Sequence, residues 1–211
     1  MNRSLGELRR LEAQALWGVC RKTGGFIDIR PYLGWKVKMP AWSTEIANEL
    51  IHLAQVDGKA FDQMHLQELV YIAHGWCLAI TRQPLTGDRP EALKHGPDYR
   101  RLSDALVSWG IDPIIPASDR DFPRTDLDPA ERELLVRIYA EYGVLKTSQL
   151  ATLTRDAGTP WEYVYAGGAG ECRDIPHRLI RAQFLKFTAR SQKKPQRISL
   201  TSMTIVDHQD S

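Results

Sequence analysis

The 211-residue chain is poor in cysteine: Cys20, Cys77 and Cys172 are odd in number and far apart. None forms a CxxC pair or a Cys/His zinc spacing, so neither a disulfide framework nor a structural zinc is indicated, and Cys77 reads as a core residue. Long apolar runs are missing as well. Nothing approaches the ~20 residues of a membrane-spanning helix, and Arg9, Arg10 and Glu12 stand where a secretory signal would be apolar. The expectation is a cytoplasmic protein with no membrane partner. Catalytic signatures are also lacking. The six histidines (His52, His65, His74, His95, His177, His208) show no HExxH or other ligand spacing, no GxSxG occurs, and GGAGE at 167–171 lacks the Lys-Ser/Thr of a phosphate-binding loop. No catalytic residue, cofactor or metal is therefore expected. A metal hydrolase assembled from scattered ligands is the alternative, which a bound-metal assay would decide.

What is present is ordinary globular composition, 43% hydrophobic and 26% charged, enough for one well packed domain or two small ones. The formal net charge of +2 conceals a segregation: residues 39–172 carry 12 Lys/Arg against 20 Asp/Glu, while 1–38 and 173–211 each carry 8 against 3. An acidic body thus lies between basic ends. Basic ends can follow nucleic-acid phosphates or be solvated tails. No aromatic residues interleave the C-terminal basics, which favours the solvated reading.

The strongest pattern spans residues 62–82. Leu66, Leu69, Val70, Ala73, Cys77 and Ile80 share one helical face, and Ile72, Trp76, Leu78 and Ala79 add apolar groups on the others. A helix apolar nearly all round is one surrounded by other helices. The fold class expected is mainly α, a compact multi-helix domain around this buried helix, with little or no sheet. Ser43 is the expected N-cap of a preceding helix reaching Val56, stopped by Gly58, and Asp62 caps the central one. His95, Gly96 and Pro97 are read as a turn before a helix from about Tyr99 to Trp109. Residues 111–127, with Pro113, Pro116 and Pro123, read as a connector. Asp128, Pro129 and Glu131 form a capping box opening a helix to Tyr142, and Thr147 caps a shorter one ending near Asp156. TPWEYVYAGGAG reads as a loop with an aromatic cluster, and Asp174 and Pro176 start a last helix carrying Leu179, Ile180, Phe184 and Phe187. At the ends, residues 1–38 read as an amphipathic helix (Leu5, Leu8, Leu11, Ala15, Leu16, Val19) plus a short β-prone stretch. Met39 follows, and the expectation is that Met39 is an alternative start or that residues 1–38 are a dispensable extension. The domain is expected over 39–187, with a flexible basic and polar tail over 188–211.

The runs LQELVYIAHGW at 66–76, PL at 84–85 and EALKHGP at 91–97, with IANELI at 46–51 upstream, resemble the Panacea antitoxin domain. This family includes phage-associated proteins called GepA-like or SocA-like. LDPAERELLVRIYAEYG at 127–143, followed by TSQLATLT and TPW, is similar to its second half, so the resemblance covers about 41–187. The chain departs from the family pattern at Leu93, where Trp is common, at Asp98, where an apolar residue is usual, and at Glu68, where a basic one is. The resemblance implies the antitoxin of a toxin-antitoxin pair, a non-enzymatic protein that neutralises a protein toxin by direct binding. One branch of the family instead implies a proteolytic adaptor that delivers the toxin to a ClpXP-type protease.

Three sets of residues are candidate toxin contacts. Gln67, Tyr71 and His74 form a polar seam on the central helix, which either recognises a partner or hydrogen bonds internally as buried polar groups must. His95 stands at the Gly96-Pro97 turn, as a displayed group or as part of a plain helix entry. Trp161, with Tyr163 and Tyr165, is either an interface anchor or a lid on the core. A rival reading is a DNA-binding regulator, with 131–156 as two helices joined by a short turn. Its second helix offers only Arg155 as a cation, so steep salt-dependent DNA binding is the signature that would be needed.

Overall fold

The computed structural model describes residues 40–110, 112–114 and 127–192. The expectations for 1–38, for most of the 111–127 connector and for the tail beyond 192 lie outside these residues. Among the described residues there are seven α-helices: α1 (Ser43–Val56), α2 (Gln63–Thr81), α3 (Arg100–Leu106), α4 (Pro129–Tyr142), α5 (Thr147–Arg155), α6 (Pro160–Tyr165) and α7 (His177–Gln192). Three short strands, β1 (Glu91–Leu93), β2 (Gly96–Asp98) and β3 (Arg173–Asp174), form one antiparallel sheet in the order β2-β1-β3. The fold is mainly α around a central helix, with a minimal sheet.

Helix α2 is that centre. Every residue from His65 to Ala79 is buried, as the all-round apolar pattern requires. Asp62 caps it by accepting from the His65 backbone N–H at 2.7 Å. Helices α1, α4, α5 and α7 pack round it. Helix α7 comes closest at Gly75, where an added Cβ would lie 2.1 Å from the Phe184 ring, so only glycine admits this approach. On the α4 side the Trp76 indole donates to the Tyr142 hydroxyl at 3.0 Å, and Arg132 of α4 bonds Glu49 of α1.

Two expected caps are something else. Helix α1 begins at Ser43 itself, and Trp42 precedes it as the cap, its carbonyl accepting from the Glu45 N–H while Glu45 accepts from the Trp42 N–H. The Ser43 hydroxyl and N–H both donate to Asp88, 45 residues away. Likewise α5 begins at Thr147, whose hydroxyl lies 3.2 Å from His65 Nδ1 and 3.5 Å from Asp62 Oδ2. A carboxylate that accepts two donors outcompetes a local cap worth about 1 kcal/mol. The capping box at α4 is as expected: Asp128 accepts from the Ala130 N–H and Glu131 from the Asp128 N–H, both at 2.9 Å.

Three segments correct the sequence reading. His95, Gly96 and Pro97 belong to a β-hairpin, with Ala92 opposite Pro97, while the helix expected after them is present, capped at Tyr99, running as α3 from Arg100 and continuing as a 3-10 turn over Val107–Trp109. The aromatic stretch after Thr159 is not a loop but α6, capped by the Thr159 hydroxyl with Pro160 in the first turn. Asp174 lies in β3 rather than at a helix start, and α7 begins at His177. No helix of the described residues is long and apolar enough to cross a membrane.

Candidate functional site

The polar seam of α2 faces inward and ties neighbouring elements to the helix. Gln67, 3% exposed, uses both ends of its amide: Oε1 accepts from the Tyr99 N–H at 2.9 Å, and Nε2 donates to Ser103 Oγ at 2.8 Å and to the Tyr99 carbonyl at 3.3 Å. A carboxamide is the side chain that donates and accepts at once, so this position locks the end of β2 to the start of α3. Ser103 passes the chain of bonds on by donating to Asp98 Oδ1 at 2.6 Å.

His74 is completely buried, and its Nδ1 accepts from the Thr86 N–H at 3.2 Å, with the Thr86 hydroxyl 2.9 Å away. Burial, and secondarily the neighbouring His177, hold its pKa down to about 3. His177, whose ring centroid is 4.9 Å away, is lowered too, mainly by burial. Both imidazoles are thus neutral at physiological pH, which lets them lie side by side. The Tyr71 hydroxyl, wholly buried near Phe184, has no hydrogen-bond partner among the described residues, and burial raises its pKa.

The hairpin is held from two sides. Arg155 of α5 donates to the His95 carbonyl at 2.5 Å and lies 3.5 Å from Glu68 of α2. Glu68, 1% exposed, also accepts from Thr154 Oγ1 at 2.6 Å. Burial raises its pKa to about 7, against the opposing effects of Thr154 and Arg155. Gly96 has φ +132°, and a Cβ there would sit 2.9 Å from the Arg155 side chain, so glycine is required twice over. From α6, Trp161 donates its indole N–H to the Leu93 carbonyl at 2.8 Å and stacks on Tyr165, ring centroids 4.9 Å apart. Trp161 is half-buried, whereas Tyr163 is 73% exposed.

Between the start of α2 and β2 lies an open groove of about 470 Å³, lined by Asp62, Met64, Gln67, His95, Pro97 and Asp98 among others. It brings together two of the residues singled out from sequence, Gln67 and His95, while Trp161 steadies Leu93, another lining residue, from outside. Tyr71 and His74 do not line it; they lie deeper, under α7 and the Thr86 segment. Sequence reasoning sees Asp62 only as a cap, Asp98 only as a departure from a pattern, and Arg155 only as a lone cation. The missed signal is the run from Asp98 to Ser103, which places a carboxylate and a hydroxyl one helical entry apart, ready to bond.

The two-helix reading for DNA rests on α4 and α5, which do follow one another across a short turn. Arg155, the cation of α5, is engaged with Glu68 and the His95 carbonyl. Among the described residues no three His, Cys, Asp or Glu side chains converge as a metal site. No curated protein and no solved structure matches the chain. A family model does: residues 66–162, from the second turn of α2 through the hairpin to the start of α6, match the family described as antitoxin SocA-like, Panacea domain. The stretch that carries most of the central helix and the groove-forming hairpin is thus similar to the SocA-like Panacea domain.

Proposed function

We propose that this chain is an antitoxin that neutralises a protein toxin by binding it directly, without catalysing a reaction. The observation that carries this reading is the match of residues 66–162 to the SocA-like Panacea family, since that stretch contributes seven of the ten groove-lining residues: Gln67, Leu93, His95, Gly96, Pro97, Asp98 and Gly110. Groove residues Gln67 and His95 and the hairpin support Trp161 are the groups closest to a bound toxin. Tyr71 and His74 contribute from inside, by fixing the shape of the frame.

The test is co-expression with the neighbouring reading frame. A small gene that arrests growth alone, and is silenced by this chain through a stable co-purifying complex, is the expected outcome. Failure to rescue any neighbouring toxic gene would count against the reading. Rescue by disappearance of the toxin, dependent on a ClpXP-type protease, would replace masking by proteolytic delivery.

A further inference from the structure

The groove beside the hairpin has a charge and a shape that the family match does not assign. Its apolar surface comes from Met64, Leu93 and Pro97, its charge from Asp62 and Asp98, and among the described residues no lysine or arginine lines it. The two carboxylates are not equivalent. The N-terminus of a helix carries roughly half a positive charge, and Asp62, bonded to the His65 N–H, offsets the one on α2. Asp98, just before α3, receives no such backbone N–H bond among the described residues. Its hydrogen bond among the described residues comes from the neutral Ser103 hydroxyl, and the nearby Arg100 guanidinium is placed 3.4 Å from Glu91. Burial first, then Glu91 and Asp104, raise the Asp98 pKa above the ordinary carboxylate value, with Ser103 and Arg100 opposing. A carboxylate crowded by like charge at the edge of an apolar groove is a position that a cation would stabilise.

A free small cation would leave Met64, Leu93 and Pro97 uncovered. A purely apolar segment would seal Asp98 from water without a counter-charge, which is costly. The groove volume, about 470 Å³, falls in the range of pockets that hold a small ligand or a few side chains. We propose that the groove receives a protein segment in which a lysine or arginine stands next to an aliphatic residue, the aliphatic group on Met64, Leu93 and Pro97 and the cation on Asp98. The toxin as the source of that segment rests on the antitoxin reading above.

The probe is a phage-displayed library of linear peptides selected on the immobilised full chain. Enriched peptides carry Lys or Arg beside Leu, Ile, Val or Met, and their binding weakens at least tenfold in Asp98→Lys and in Met64→Glu. Met64 is exposed and Asp98 partly so, and an unchanged melting temperature verifies folding. Asp98→Asn, which keeps an acceptor for Ser103, weakens binding less than Asp98→Lys. Absence of enrichment, enrichment of acidic peptides, or indifference to both strong variants overturns the proposal. In the co-expression assay, wild-type rescue by both variants overturns the groove as the toxin's seat and leaves the antitoxin reading standing. A wild-type chain that rescues from no neighbouring toxin overturns that reading, and the peptide selection still judges the groove.

Discussion

A hydroxyl sealed in an apolar interior without a partner costs about 1 to 3 kcal/mol, and Tyr71 carries one. Tyr71→Phe is therefore expected to be neutral or to stabilise the protein by up to about 1 kcal/mol in urea unfolding. Gln67 is the opposite case. Gln67→Ala leaves the Tyr99 N–H, the Tyr99 carbonyl and Ser103 short of partners, and should lower stability by about 2 to 4 kcal/mol in the same measurement. At this scale the sequence reveals the residue but not its bond. Gln67, Tyr71 and His74 stand out because they interrupt an apolar helix, yet their surroundings come from Tyr99, Ser103, Thr86 and Phe184, well away along the chain. Ser43 and Thr147 mislead for the same reason: a hydroxyl at a helix start reads as a cap, and only the fold brings Asp88 and Asp62 within reach.

At the scale of elements, the contact of α2 with α7 depends on Gly75. Gly75→Ala gains up to about 1 kcal/mol of helix propensity but forces the Phe184 ring to move, and overpacking of this kind costs about 1 to 3 kcal/mol. A net loss of stability is expected, and Phe184→Leu in the same chain should recover part of it if ring contact is the cause. The long helices were legible because their periodicity runs over many residues and their caps, Asp62 and Asp128, are local. The hairpin was not. Strands of three residues leave no room for alternation, and Gly96 and Pro97 are poor strand formers held in place by Arg155, α2 and Ala92 rather than by their own preference. Helix α6 was missed although Thr159 and Pro160 announce it, because it ends after six residues.

For the molecule as a whole, acid response is set by groups with opposite signs. Glu68, raised from 4.5 to about 7, lets the folded chain hold a proton the unfolded chain lacks between those values, so its contribution to stability grows as pH falls through that window. His74, lowered from 6.5 to about 3, does the reverse: the unfolded chain takes up the proton first, and stability falls with pH from about 6.5 downward. Glu68→Gln removes the compensating group. Its stability should fall more steeply than wild type on acidification between pH 6.5 and 4.5, by up to about 1.4 kcal/mol per unit, in unfolding curves at matched ionic strength. The acidic middle of the chain, net −8 over residues 39–172, gives a second expectation. If the toxin is basic, the association rate should fall several-fold on raising salt from low to above physiological, while dissociation changes little.

The encirclement of α2 also bears on where the chain can be cut. The stretch that matches the family model, 66–162, omits α1 and α7, which supply Ile46, Leu50, Ile180 and Phe184 to the core. A fragment trimmed to the recognisable stretch would leave two sides of its central helix bare, and should aggregate or bind hydrophobic dyes. The smallest piece expected to survive expression on its own runs from before Ser43 to beyond Phe187, so recognisability and autonomy have different borders in this protein.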